Sequence, residues 1–98
     1  MGKLSHDEVA ARLKKLPGWE LTGEAIRRQF TFAGFADAVS FVVRLGFAAE
    51  AADHHPDLLV NYKRVTVTYT THSEGGLTAK DFEGAAAATE IAVAKAAG

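Results

Sequence analysis

The run Leu58-Leu59-Val60-Asn61-Tyr62-Lys63-Arg64-Val65-Thr66-Val67-Thr68-Tyr69-Thr70 carries two alternating patterns around one short break. Leu58, Val60 and Tyr62 alternate before it, and Val65, Val67 and Tyr69 alternate with Thr66, Thr68 and Thr70 after it. Residues 61–64 are enough to turn the chain. A parallel crossover needs a dozen or more residues, so two strands joined this closely must be antiparallel.

The same logic extends toward the N-terminus. Trp19-Glu20-Leu21 begins an extended segment, Thr22-Gly23-Glu24 turns, and Ile26, Arg28, Phe30 and Phe32 alternate with Arg27, Gln29 and Thr31, which predicts another hairpin. Between the hairpins, Phe35, Val39, Val42, Gly46 and Ala49 recur at steps of three and four. They predict one long helix from Phe35 to about Asp53, stopped by Pro56. Ser5-His6-Asp7-Glu8 has capping-box spacing and opens a short helix carrying Val9, Leu13 and Leu16, ended by Pro17-Gly18. Ser73-Glu74-Gly75-Gly76 is a loop. Thr78-Ala79-Lys80-Asp81 repeats the box with Asp in place of Glu and opens an alanine-rich helix to about Ala96.

The expected fold is therefore α+β: a single domain over residues 1–98 in the order α-β-β-α-β-β-α, with a four-stranded antiparallel sheet and three helices on one face. The threonine-rich opposite face can be wet. Sheet edges and the small-residue final helix both invite pairing of copies, with Ile91 expected on the side opposite a core stripe of Phe82, Ala86 and Val93.

Composition narrows the function. The chain is 48% hydrophobic and 23% charged with two prolines, which suits a folded domain. A net charge of -1 supplies no broad basic field, so neither nucleic acid nor an anionic membrane is expected as a partner. The absence of cysteine removes disulfides, thiolate nucleophiles and cysteine-based zinc sites. No h-region or membrane-length apolar run is present, and a cytoplasmic location is expected.

Three of the four histidines fall in two clusters, Asp53-His54-His55-Pro56 and Thr71-His72. Histidine gives and takes protons near neutral pH, so such clustering points to proton transfer or a metal. Glu50 lies one helical turn before His54 and is expected to orient its imidazole, with Asp53 and His55 at the fraying helix end. His72 is expected to end a strand beside the Gly-Gly loop. If the two ends meet, His54, His55 and His72 line one pocket. A lone histidine at a helix end is ordinarily a C-terminal cap, but three of them with Glu50 make a stronger case for a site. His6, isolated in a surface helix, reads as solvated.

At these residues the chain resembles the pterin-4a-carbinolamine dehydratase family. The resemblance runs in order from Trp19 through Phe30-Thr31-Phe32, Phe35, Glu50, Asp53-His54-His55-Pro56-Asp57, Asn61-Tyr62, Val65, Thr71-His72, Gly76-Leu77-Thr78 and Lys80-Asp81-Phe82. It implies the same fold and, as activity, dehydration of 4a-hydroxytetrahydropterin to quinonoid dihydropterin, with the pterin as substrate and no cofactor or metal. It also implies a functional link to an aromatic amino-acid hydroxylase and a homodimer or homotetramer. His54 and His72 would be the acid/base pair and His55 would position the pterin or assist transfer. Glu50 and Asp53 would orient imidazoles, with Pro56, Lys80 and Asp81 at the pocket. Two departures stand out: many members have tryptophan in place of Leu58, and animal members have arginine in place of Lys80, so an aromatic contact and a bidentate donor are replaced.

Two other classes fit parts of the pattern. A metalloenzyme could use His54, His72 and Glu50, although adjacent histidines lack the His-x-x-x-His spacing that points both rings one way. A noncatalytic dimerisation cofactor of a transcription factor is the other, since animal members of the resembling family serve in that way.

Overall fold

The computed structural model describes residues 2–94. Its elements run α1 (His6–Leu13), β1 (Glu20–Thr22), β2 (Ala25–Thr31), α2 (Phe35–Ala52), β3 (Asp57–Asn61), β4 (Arg64–Tyr69), a 3₁₀ turn (His72–Glu74) and α3 (Ala79–Ala94). The expected order and class are observed: an α+β domain with three helices over one face of a four-stranded antiparallel sheet. The expected helix end at Ala96 lies outside the described residues.

Strand order is β1-β2-β4-β3. Both β2 and β3 run antiparallel to β4, so β2 and β3 share a direction with β4 inserted between them. The register places Ile26 against Tyr69, Phe30 against Val65, and Leu58 against Val67, so the alternation seen in the sequence becomes one apolar face. Ile26, Val65, Val67 and Tyr69 on that face are fully or almost fully buried, with Phe41 and Leu45 of α2 above them. Each such aliphatic or aromatic side chain contributes roughly 1.5–3 kcal/mol by leaving water. On the other face Gln29 Nε2 donates to Thr66 Oγ1.

The structure decides which face of each long helix is buried. In α2 the buried stripe is Ala38, Phe41, Leu45 and Ala49, whereas Phe35, Val39, Val43 and Phe47 face outward, Phe35 at 55% and Phe47 at 76% exposure. Apolar residues surround much of this helix, so periodicity alone does not select the inward face. In α3, Ile91 packs against the core and its carbonyl accepts from Arg44 Nη1 at 2.8 Å, while Val93 is exposed, the reverse of the expected arrangement.

Local chemistry sets the helix ends. Ser5 and Glu8 make the full reciprocal capping box, which holds the Glu8 carboxyl below its usual pKa through hydrogen bonds to the Ser5 backbone and side chain. Helix α2 stops in a Schellman motif: Asp53 adopts a left-handed conformation at φ 55, its N–H donates to Glu50 O, and His54 N–H donates to Ala49 O. Among the described residues no helix is long and apolar enough to cross a membrane.

Candidate active site

The Schellman turn delivers His54 to the seam between α2, β4 and the start of α3. Its imidazole is 14% exposed and lies nearly parallel to the Tyr69 ring, with centroids 5.8 Å apart and planes 17° from parallel. Nε2 stands 2.6 Å from Asp81 Oδ1. Asp81 is completely buried in the first turn of α3, where the helix dipole favours a carboxylate. Its Oδ2 accepts from the Thr71 hydroxyl at 2.7 Å and from the Thr78 N–H at 2.9 Å. These donors and the imidazole offset the cost of removing a carboxylate from water.

The predicted box at Thr78-x-x-Asp81 is half formed. The carboxylate accepts from the Thr78 backbone, but the Thr78 hydroxyl turns to Thr71 Oγ1 at 3.0 Å instead of to the Asp81 N–H.

Beside His54 is a cavity of ≈ 120 Å³ with His54, Tyr69, Lys80, Glu83 and Gly84 among its walls, the remainder being Leu45 and alanines. Tyr69 forms its floor. Burial, and secondly the negative charge of Asp81, push the Tyr69 phenol up to about 12, so it stays a neutral polar group at neutral pH. Gly84 is what makes room for it. A β-carbon there would stand 2.5 Å from Tyr69 Cε1 and 2.9 Å from the phenol oxygen.

The other predicted residues divide into two groups. Glu50 does not reach His54; it meets His55 Nε2 at 2.8 Å, in a pair whose side chains are 81% and 57% exposed. The one-turn spacing fails because the left-handed Asp53 takes His54 out of the helix. Asp53 is exposed, and Pro56 is half-buried ahead of β3. His72 does not end a strand: β4 stops at Tyr69, Thr71 forms an isolated bridge with Gly76, and His72 opens the 3₁₀ turn, exposed. Neither His55 nor His72 lines the cavity, whereas Lys80 borders both it and a second hollow shared with Thr71 and Ser73. Among the described residues no three His, Asp or Glu side chains gather closely enough to hold a metal ion.

Sequence reasoning assigns no part in the site to Tyr69, Thr71 or Gly84, and reads Thr78 only as a helix cap. Tyr69 reads as one more core residue of an alternating strand, and Thr71 stands out only as the neighbour of His72.

The profile of the family described as Pterin 4 alpha carbinolamine dehydratase matches residues 2–91. A protein of Chloroflexus aurantiacus, provisionally named pterin-4-alpha-carbinolamine dehydratase, is 48% identical over 91 residues, covering 93% of this chain and 98% of its own length. A protein of Picosynechococcus with the same provisional name is 47% identical over 81 residues, covering 83% and 88%. The crystal structure of a transcriptional coactivator/pterin dehydratase from Brucella melitensis superposes with a TM-score of 0.90 at 39% identity, over 93% of this chain and 99% of that one. A pterin dehydratase-like protein identified as a RuBisCO assembly factor in the alpha-carboxysome has a similar fold, with a TM-score of 0.64 at 19% identity over 76% of this chain and 86% of its own.

Proposed function

The chain belongs to the pterin 4 alpha carbinolamine dehydratase family, and from that premise we propose that it dehydrates 4a-hydroxytetrahydropterin to quinonoid dihydropterin and water. The observation that carries this reading is His54, held by buried Asp81 at the edge of a cavity floored by Tyr69. The reaction removes the C4a hydroxyl and the N5 proton. Hydroxide is a poor leaving group, so an acid must protonate it as the C–O bond breaks. A base must take the N5 proton as the C4a to N5 double bond forms.

His54 and His72 are the pair for these two transfers. Carboxylate oxygens only accept, so the His54 proton facing Asp81 sits on Nε2 and Nδ1 is left to exchange a proton with substrate. Asp81 thereby orients this ring, the role expected of Glu50, while Glu50 pairs with His55 on the exposed surface outside the cavity lining, from where His55 would help position the pterin. Lys80 offers one cation at the cavity edge. No cofactor or metal enters the steps. The setting is pterin recycling in the cytoplasm beside an aromatic amino-acid hydroxylase.

The outward stripe of Phe35, Val39, Val43 and Phe47 supports assembly into a homodimer or homotetramer. The same stripe, with the coactivator description of the Brucella relative, favours a second reading in which this surface engages another protein. A dehydration assay on chelator-treated protein with freshly generated 4a-hydroxytetrahydropterin tests the enzymatic reading. Full activity is expected. Activity that vanishes on chelation and returns with zinc or iron would move the chemistry to a metal, and no activity in either case would leave the noncatalytic reading.

A further inference from the structure

Asp81 touches three partners, and their hydrogen count defines a directed chain. Thr71 has one hydroxyl proton. It is given to Asp81 Oδ2 at 2.7 Å, so in the 3.0 Å contact between the two threonine hydroxyls Thr78 must be the donor and Thr71 the acceptor. The order is Thr78 to Thr71 to Asp81, with His54 Nε2–H arriving at the other carboxylate oxygen. Every member of this chain is buried or half-buried, so water competes poorly for it.

Thr71 also has a second attachment. Its backbone exchanges two hydrogen bonds with Gly76, Thr71 N–H to Gly76 O at 3.2 Å and Gly76 N–H to Thr71 O at 3.3 Å, which close the loop containing His72. One residue thus joins the base of the His72 loop to the carboxylate that holds His54. We propose that Thr71 is a positioning residue, whose hydroxyl pins Asp81 and through it the His54 ring in register with the adjacent His72. Its effect on catalysis rests on the dehydratase reading, whereas its effect on the His54 hydrogen bond does not.

Thr71→Val removes the hydroxyl at nearly constant volume, and Thr71→Ser restores it. The readouts are steady-state kinetics and the NMR signal of the ¹⁵Nε2-bound proton of His54, which the 2.6 Å contact with buried Asp81 is expected to protect from exchange in the wild type. Thr71→Val is expected to broaden or shift that signal and lower kcat about 10-fold with KM unchanged within about twofold, the scale of losing an orienting partner. Thr71→Ser is expected to recover both. A Thr71→Val protein with the wild-type signal and wild-type kcat overturns the proposal, and so does one that loses kcat while keeping the signal, since the route through Asp81 would then be absent. If the wild type has no dehydratase activity yet its signal responds to Thr71→Val, pinning stands and the dehydratase reading falls. Should Thr71→Val fold poorly, Thr71→Ala removes the same hydroxyl and is judged by the same two readouts.

Discussion

His54 Nε2 and Asp81 Oδ1 lie 2.6 Å apart although the two residues are 27 positions apart in the chain. The contact joins the end of α2 to the start of α3 and divides two neighbouring histidines between different tasks, His54 inside against Asp81 and His55 outside against Glu50.

The proposed acid/base pair predicts losses confined to its two members. His54→Ala and His72→Ala should each lower kcat by about 10²- to 10⁴-fold in the dehydration assay, the usual scale for a general acid or base. Circular dichroism should show both folded. His6→Ala, at an exposed position in α1, should retain wild-type rates. Wild-type rates in both the His54 and His72 variants would remove the pair from the chemistry.

The seven helices and strands among the described residues were legible, most of them from an apolar period and a break beyond it: Pro17-Gly18 after α1, the 61–64 turn between β3 and β4, and Pro56 beyond α2. What could not be read were pairings that depend on three-dimensional neighbours. Glu50 and His54 have helical spacing, but one left-handed residue, Asp53, cancels it. Asp81 reads as a cap from its distance to Thr78, and it does cap. Its other oxygen belongs to a histidine on a different element, which local spacing cannot show. Val93 and Ile91 exchange faces because an alanine-rich helix has too weak an apolar contrast to orient itself.

Two glycines in helices should respond in opposite directions to alanine. Gly84→Ala would drive a β-carbon into the Tyr69 ring and should cost about 1–3 kcal/mol while lowering activity, as overpacking does. Gly46→Ala, at an exposed position of α2 where a β-carbon meets nothing within 4 Å, should add about 0.5–1 kcal/mol through helix propensity. Urea unfolding of both variants measures the contrast; equal shifts of the same sign would refute the assigned crowding.

Alkaline stability should carry the mark of Tyr69. Its neutral form is favoured in the folded state, so the folded protein keeps the phenol proton after the unfolded chain has released it. The associated stability is whole below pH 10 and lost as pH rises through about 12. Tyr69→Phe should therefore show a shallower loss of unfolding free energy across this window than the wild type. Parallel slopes in denaturant titrations would rule out the raised phenol.

Assembly should depend on α2 and not on Ile91. Light scattering at micromolar concentration is expected to give a multiple of the 10.4 kDa chain mass. The double substitution Val43→Lys, Phe47→Lys should reduce that mass, because it places two charges in the outward stripe. A wild-type monomer, or an unchanged oligomer in the double variant, would rule out this face.

The indole of Trp19, the chain's single tryptophan, is buried, with Nε1 donating to Thr89 Oγ1 at 2.9 Å. Its ring lies 6.3 Å from Tyr69, which in turn lies 5.8 Å from His54. The protein therefore contains its own optical probe, two aromatic contacts from the His54 imidazole. Ligand entry that shifts the Tyr69 floor should alter tryptophan emission in unlabelled protein, allowing occupancy of the cavity to be followed separately from turnover.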